Sequence, residues 1–262
     1  MQSFTTDDGI RLAYEVVGEG RPLLLHLGAG CDAGLWKAAG YLEPLERSNA
    51  CILFDHRGHG ESDRPRGPAA NHVDRFVADV LALLAHLSLD DVAFWGYSNA
   101  VSVALKLAEE HPERLTGIIA SGGIVAPSPS RAELEERVAA VAERYRRTGW
   151  EGLIEAFVDE EGAVPPWMLA RIRATDIEPV VGWTEARLDW GWNAWDALAR
   201  VRTPTLFLIG ELEDPDDLMD KAAREMPDGR RVRIPGKGHI NGFLDADAAL
   251  PAARAFLDEL RA

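Results

Sequence analysis

Short apolar runs at residues 12–17, 23–27, 52–54, 92–95, 117–120, 205–209 and 231–234 alternate with longer stretches whose apolar positions recur every three or four residues. No other feature constrains the chain as strongly, because strands separated by helices pair in parallel and need helices on both faces of the sheet. Residues 73–87 illustrate the helical half: Phe76, Val77, Val80, Leu81, Leu84 and Leu87 fall on one stripe. Residues 4–6 and 12–17 behave differently, since Asp7-Asp8-Gly9 between them supplies the positive φ of a tight hairpin. The pattern therefore predicts an α/β fold whose sheet is mostly parallel and antiparallel at one edge. With 262 residues, 47% of them apolar, one large core is affordable and two domains of equal rank are not expected.

The strand rhythm stops between Pro127 and Arg202. Pro127-Ser128-Pro129-Ser130 opens a long charged helical stretch, followed by Pro165-Pro166 and a tryptophan-rich segment. We read residues 127–201 as an inserted, mostly helical cap, and residues 1–126 with 202–262 as the core. Six of the eight tryptophans fall in the insertion: Trp150, Trp167, Trp183, Trp190, Trp192 and Trp195. Most of them would pack cap on core, while Trp183, Trp190 and Trp192 are the candidates for contact with substrate.

A net charge of −15 repels nucleic-acid phosphates and anionic lipid surfaces, and no basic run offsets it. No basic segment followed by an apolar block opens the sequence, and no stretch reaches 18 uninterrupted apolar residues, so a soluble protein is expected. Cys31 and Cys51 are the only thiols and show no metal-ligand spacing, which fits a reducing cytoplasm.

Within this framework Gly96-Tyr97-Ser98-Asn99-Ala100 joins the run at 92–95 to the helical stretch at 101–110. A strand turning abruptly into a helix lifts the side chain at its apex outward, and the crowded turn demands small residues two before and two after it. Gly96 and Ala100 meet that demand, which makes Ser98 a candidate nucleophile. A serine hydroxyl needs a base, usually a histidine oriented by a carboxylate. His239 sits in the glycine-bracketed loop Pro235-Gly236-Lys237-Gly238-His239, just beyond the final predicted strand. His56, His59, His72, His86 and His111 lie in turns or helices, and each reads as structural. Glu211, Glu213, Asp214, Asp216 and Asp217 follow the run at 205–209, giving the order serine, acid, histidine.

With these residues in place, the chain resembles the α/β-hydrolase family over nearly its whole length. Asp55-His56-Arg57-Gly58-His59-Gly60-Glu61-Ser62-Asp63-Arg64-Pro65 is similar to that family's turn after the fourth strand, Leu23-Leu24-Leu25-His26 to its oxyanion-side strand end, and Ala108-Glu109-Glu110-His111-Pro112-Glu113-Arg114 to its helix end after the elbow. The resemblance implies an eight-stranded, mostly parallel sheet with a small helical cap, and a structural role for residues 55–65. It also implies oxyanion donors at the backbone N–H groups of Gly28 and Asn99, although His26-Leu27-Gly28 carries leucine where the family has glycine, and the neighbouring glycines allow a shift of one residue. For the acid, counting three from Gly210 gives Glu213, whereas the Asp-Pro pairing gives Asp214. Asp214 is the preferred reading because aspartate is the commoner orienting acid.

The resemblance implies a serine hydrolase that cleaves a small ester, thioester or lactone, with a small-molecule acyl substrate and neither metal nor organic cofactor. Serine rather than aspartate at the elbow argues against the family's dehalogenases and most of its epoxide hydrolases. Alternatives on the same scaffold are a C–C hydrolase, a hydroxynitrile lyase, a perhydrolase or a ligand receptor.

Overall fold

The computed structural model describes residues 1–162 and 164–260. Among these residues the hairpin and the apolar runs become eight strands: β1 (Gln2–Thr5), β2 (Arg11–Val17), β3 (Arg21–His26), β4 (Asn49–Asp55), β5 (Val92–Tyr97), β6 (Leu115–Ser121), β7 (Thr205–Gly210) and β8 (Gly229–Ile234). They form a single sheet in the order β1-β2-β4-β3-β5-β6-β7-β8. β1 pairs antiparallel with β2, and β2 antiparallel with β4. The remaining pairs are parallel. The expected α/β architecture with one antiparallel edge is thus the observed one.

Side chains alternate across the sheet, so each strand feeds both cores. Phe94 packs on one face and Trp95 on the other, and Phe207 and Leu208 divide in the same way. Two short helices, α1 (Gly34–Ala38) and α2 (Leu42–Leu45), cover one face. The opposite face is covered by α3 (Val73–His86) and α4 (Ala100–Glu110). His72 caps α3 by accepting from the Asp74 N–H, and Pro112 follows the last turn of α4 as the sequence predicts. The expected α3 stripe holds at Phe76, Val77, Val80 and Leu84, whereas Leu81 and Leu87 are only half-buried.

Asp79 interrupts that stripe and is buried because Arg57 reaches it, with Nε to Oδ2 at 2.6 Å and a second nitrogen to Oδ1 at 2.5 Å. The turn at 55–65 is built around Asp55, whose carboxylate accepts from the N–H groups of Ala33 at 2.7 Å and Glu61 at 2.9 Å. A Cβ on Gly60 would lie 1.9 Å from that carboxylate, so only glycine fits.

Between β6 and β7 the chain forms α5 (Arg131–Thr148), α6 (Glu151–Glu161), α7 (Pro166–Ala174), α8 (Glu178–Ala186) and α9 (Ala194–Ala197). Ser130 and Glu133 make a capping box that starts α5. After β7 come α10 (Leu218–Glu225), then β8, α11 (His239–Leu244) and α12 (Ala246–Glu259). No helix among the described residues is long and apolar enough to cross a membrane.

His26, His56 and His59 form a buried stack against the sheet, with ring centroids 4.9 Å apart for the first pair and 4.0 Å for the second. Burial removes water from the rings and pulls the pKa of His26 and of His59 down to about 4 and that of His56 well below its usual value. The unfolded chain therefore binds protons that the folded chain refuses, and stability falls as pH drops from 6.5 towards 4. The cost for His26 or His59 alone is on the order of 3 kcal/mol. Asp79, pushed up to about 6 by burial, acts in the opposite direction but offsets only one of the three imidazoles. We expect thermal stability to decline from pH 6.5 downward, while NMR shows the three imidazoles still neutral at pH 5.5. A ring among them titrating near pH 6.5 would contradict this account.

Candidate active site

Every candidate catalytic residue lies at the carboxyl end of a parallel strand, where α/β sheets form their crevices. Ser98 follows β5 and adopts φ +60°, a left-handed conformation that costs a non-glycine residue about 1–2 kcal/mol. The surroundings hold it there. Its N–H donates to the Ser121 carbonyl at the end of β6 at 2.9 Å, and its own carbonyl accepts from the Val101 N–H at 3.0 Å. A Cβ on Gly96 would lie 3.0 Å from the Ala100 carbonyl oxygen, so the turn has the crowding expected of it. Gly28, beyond β3, packs directly on this turn: a Cβ there would be 2.6 Å from Ser98 Cβ and 2.9 Å from the Asn99 nitrogen.

The structure brings Glu213, and not the preferred Asp214, to His239. His239 Nδ1 lies 2.7 Å from Glu213 Oε1, with the two side chains 21% and 11% exposed. Asp214 turns the other way and is buried, where its carboxylate accepts from the N–H groups of Leu218 at 2.7 Å and Met219 at 3.0 Å at the start of α10. Arg231 lies 3.6 Å from it. The physical reason is the turn after β7: the Glu213 N–H donates to the Gly210 carbonyl at 3.2 Å, which swings residue 213 towards the crevice and residue 214 into the base of α10. The count from Gly210 was therefore the informative one, and Asp214 takes the helix-terminal role that suits a carboxylate.

His239 opens α11 rather than riding on the open loop that its glycines suggested. Close packing explains the order. The Leu212 N–H donates to the Lys237 carbonyl at 2.9 Å, and a Cβ on Gly210 would meet the same carbonyl at 2.4 Å. The acid-bearing and histidine-bearing segments are thus locked together by backbone. Tyr97 adds a strut that sequence reasoning missed. Its hydroxyl donates to the His239 carbonyl, and its ring fills the space beside Gly122, where a Cβ would lie 2.3 Å from Cζ. Phe157 of α6 stacks on the His239 ring, with centroids 5.2 Å apart and planes 6° from parallel.

Two cavities flank Ser98. The inner one, about 250 Å³, is apolar, lies beneath α6 and α7, and is lined by Gly28, Ser98, Asn99 and His239 together with Trp150, Ile154, Met168 and Phe243. The outer one, about 680 Å³, is wider and more polar, and also reaches Ser98, Asn99, Glu213 and His239. Trp183, Trp190 and Trp192 all border the outer cavity. Trp183 also packs edge-on against Phe76 and Trp190, at 4.6 and 4.9 Å between centroids. Trp192 ties to the core through its indole N–H, which donates to Glu109 at 2.6 Å. Trp150 was not singled out as a lining residue. It reaches the inner cavity because Gly30, at φ +85°, leaves room for its ring 3.0 Å from where a Cβ would sit. Cys31 borders the same cavity with its thiol pushed up to about 12 by burial, and so is no nucleophile at neutral pH. Among the described residues no group of three or more His, Cys, Asp or Glu side chains is placed to hold a metal ion.

Comparison with known proteins agrees with this architecture. Residues 21–246 match the alpha/beta hydrolase fold family. A protein of Azorhizobium caulinodans, provisionally named the carbamate hydrolase RutD, is 28% identical over 95% of this chain and 96% of its own length. A thermophilic esterase from Thermogutta terrifontis superimposes with a TM-score of 0.84 at 28% identity, covering 100% of both chains. The enol-lactonase of Burkholderia xenovorans shares the fold, with a TM-score of 0.80 at 21% identity over 98% of this chain and 100% of that one.

Proposed function

Because the chain belongs to the α/β-hydrolase family and is an enzyme of that fold, we propose that it is a serine hydrolase that opens a small ester, thioester or lactone through an acyl-enzyme on Ser98. The observation that carries this reading is the convergence, at adjacent strand ends, of a left-handed Ser98 and a His239 held at 2.7 Å by Glu213. His239 Nε2 takes the Ser98 proton as Oγ attacks the carbonyl carbon, and Glu213 keeps Nδ1–H oriented and stabilises the imidazolium. The backbone N–H groups of Gly28 and Asn99 receive the oxyanion. His239 then hands the proton to the leaving oxygen or sulfur, and a water activated by the same ring releases the acid.

The inner cavity includes both proposed oxyanion donors, so the acyl group belongs there and an apolar acyl chain suits its walls. The leaving group then faces the outer cavity, beside Glu213 and His239. In this reading residues 127–201 are the cap that roofs both cavities.

The test is hydrolysis of p-nitrophenyl esters of increasing acyl length, with fluorophosphonate labelling followed by intact mass. We expect turnover that rises from acetate to hexanoate and one label per chain, located on Ser98. Labelling without turnover would favour a ligand receptor or a lyase on this scaffold. Folded protein that takes no label would overturn the proposal.

A further inference from the structure

We propose that Arg137 and Arg187 form a subsite for an oxyanion, either carboxylate or phosphate, carried on the leaving-group side of the substrate. This inference rests on the serine-hydrolase reading for which side of the bond the subsite serves, but not for the existence of the subsite. Arg137, on α5, and Arg187, at the end of α8, both line the outer cavity that reaches Ser98 and His239.

The chain has 28 Lys and Arg against 43 Asp and Glu, so two arginines bordering one cavity stand out against the charge of the whole. On α5, Arg131 pairs with Glu135 at 2.6 Å and Arg146 with Glu185 at 2.5 Å, whereas Arg144 and Arg147 make no ion pair among the described residues. Among the described residues, Arg137 and Arg187 make neither an ion pair nor a hydrogen bond, and the acidic charge that Arg137 feels is that of Glu133, one turn earlier on α5. Arg187 instead lies over the Trp190 ring, 5.9 Å from its centroid. Both arginines are exposed, yet loss of water around the guanidinium of Arg187 and then the positive charge of Arg137 lower its pKa. Two carboxylates border the cavity, and both have partners: Glu213 with His239 at 2.7 Å and Asp196 with the Ser128 hydroxyl at 3.0 Å.

In a protein of net charge −15, two guanidinium groups without ion-pair partners thus border the cavity into which the leaving group would emerge. An oxyanion between the two guanidinium groups would accept charge-assisted hydrogen bonds and relieve their repulsion. The substrate class that follows is an apolar acyl group joined to an anionic alcohol, thiol or enol fragment.

The test compares 4-nitrophenyl hexanoate with 3-carboxy-4-nitrophenyl hexanoate, each corrected for its hydroxide-catalysed rate. We expect the wild type to favour the carboxylated ester at least 10-fold in kcat/KM, as charge-assisted contacts to the carboxylate would produce. The Arg137→Gln, Arg187→Gln double variant should bring the ratio near one, and the double Lys variant should retain part of it. A ratio near one in the wild type, or one unchanged in the Gln variant, would overturn the proposal.

Turnover of the neutral ester and its loss in Ser98→Ala test the hydrolase reading separately. If neither ester is turned over, calorimetry with benzoate and with phenyl phosphate decides the subsite. Binding at least 10-fold weaker in the Gln variant supports it, equal binding overturns it, and the tighter ligand identifies the oxyanion.

Discussion

Ser98→Ala is expected to lower kcat for ester hydrolysis by about 10⁶-fold, the usual loss when the nucleophile of such a site is removed. KM should change little, because the cavity walls that bind the acyl group are untouched. The fold should not suffer either. Ser98 occupies the left-handed region at φ +60°, and alanine bears the same strain there. Ser98→Gly should also be inactive, but it relieves about 1–2 kcal/mol of backbone strain, offset in part by the entropy of a more flexible unfolded chain. We therefore expect its melting temperature to match or exceed that of Ser98→Ala. Kinetics and thermal melts on the two variants check both halves. Residual Ser98→Ala activity within 10-fold of wild type would exclude Ser98 as the nucleophile.

Adjacent acids separate with equal clarity. Glu213→Gln is expected to cost about 10⁴-fold in kcat, because an amide neither enforces the Nδ1–H tautomer of His239 nor stabilises the imidazolium. Its stability should stay near that of the wild type. Asp214→Asn should do the reverse. Its carboxylate is 2% exposed and accepts two helix-terminal N–H groups beside Arg231, so replacing it weakens charge-assisted bonds and costs about 1–3 kcal/mol. Activity measured below the new melting temperature should remain within a few-fold of wild type. Should Asp214→Asn abolish turnover in folded protein while Glu213→Gln preserves it, the assignment from geometry would be reversed.

The same pair of residues marks how far the sequence could be read. Strand and helix periodicity, the Asp-Gly hairpin and the small residues around Ser98 are local signals, because backbone sterics and the alternation of buried faces act over a few residues. Glu213 and Asp214 carry the same charge one position apart, and no local rule says which way a turn will point them. The bond from the Glu213 N–H to the Gly210 carbonyl sets it, in a turn that packs against Lys237, 27 positions from Gly210 in sequence. Tyr97 lay inside the elbow motif but its role did not show, since its partner is the backbone carbonyl of His239.

The pattern of apolar residues alone determined an α/β sheet with an antiparallel edge, a serine at a strand-to-helix turn, and a histidine after the last strand. These follow from local conformational energetics and from the need to bury one side of every element. Tertiary structure alone decided which acid meets His239, that Trp150 rather than the later tryptophans lines the inner cavity, that His26, His56 and His59 share one buried stack, and that Arg137 and Arg187 face the same opening. Each of those depends on contacts between residues far apart in the chain, whose side chains are brought together only when the sheet and the helices above it have closed around a common core.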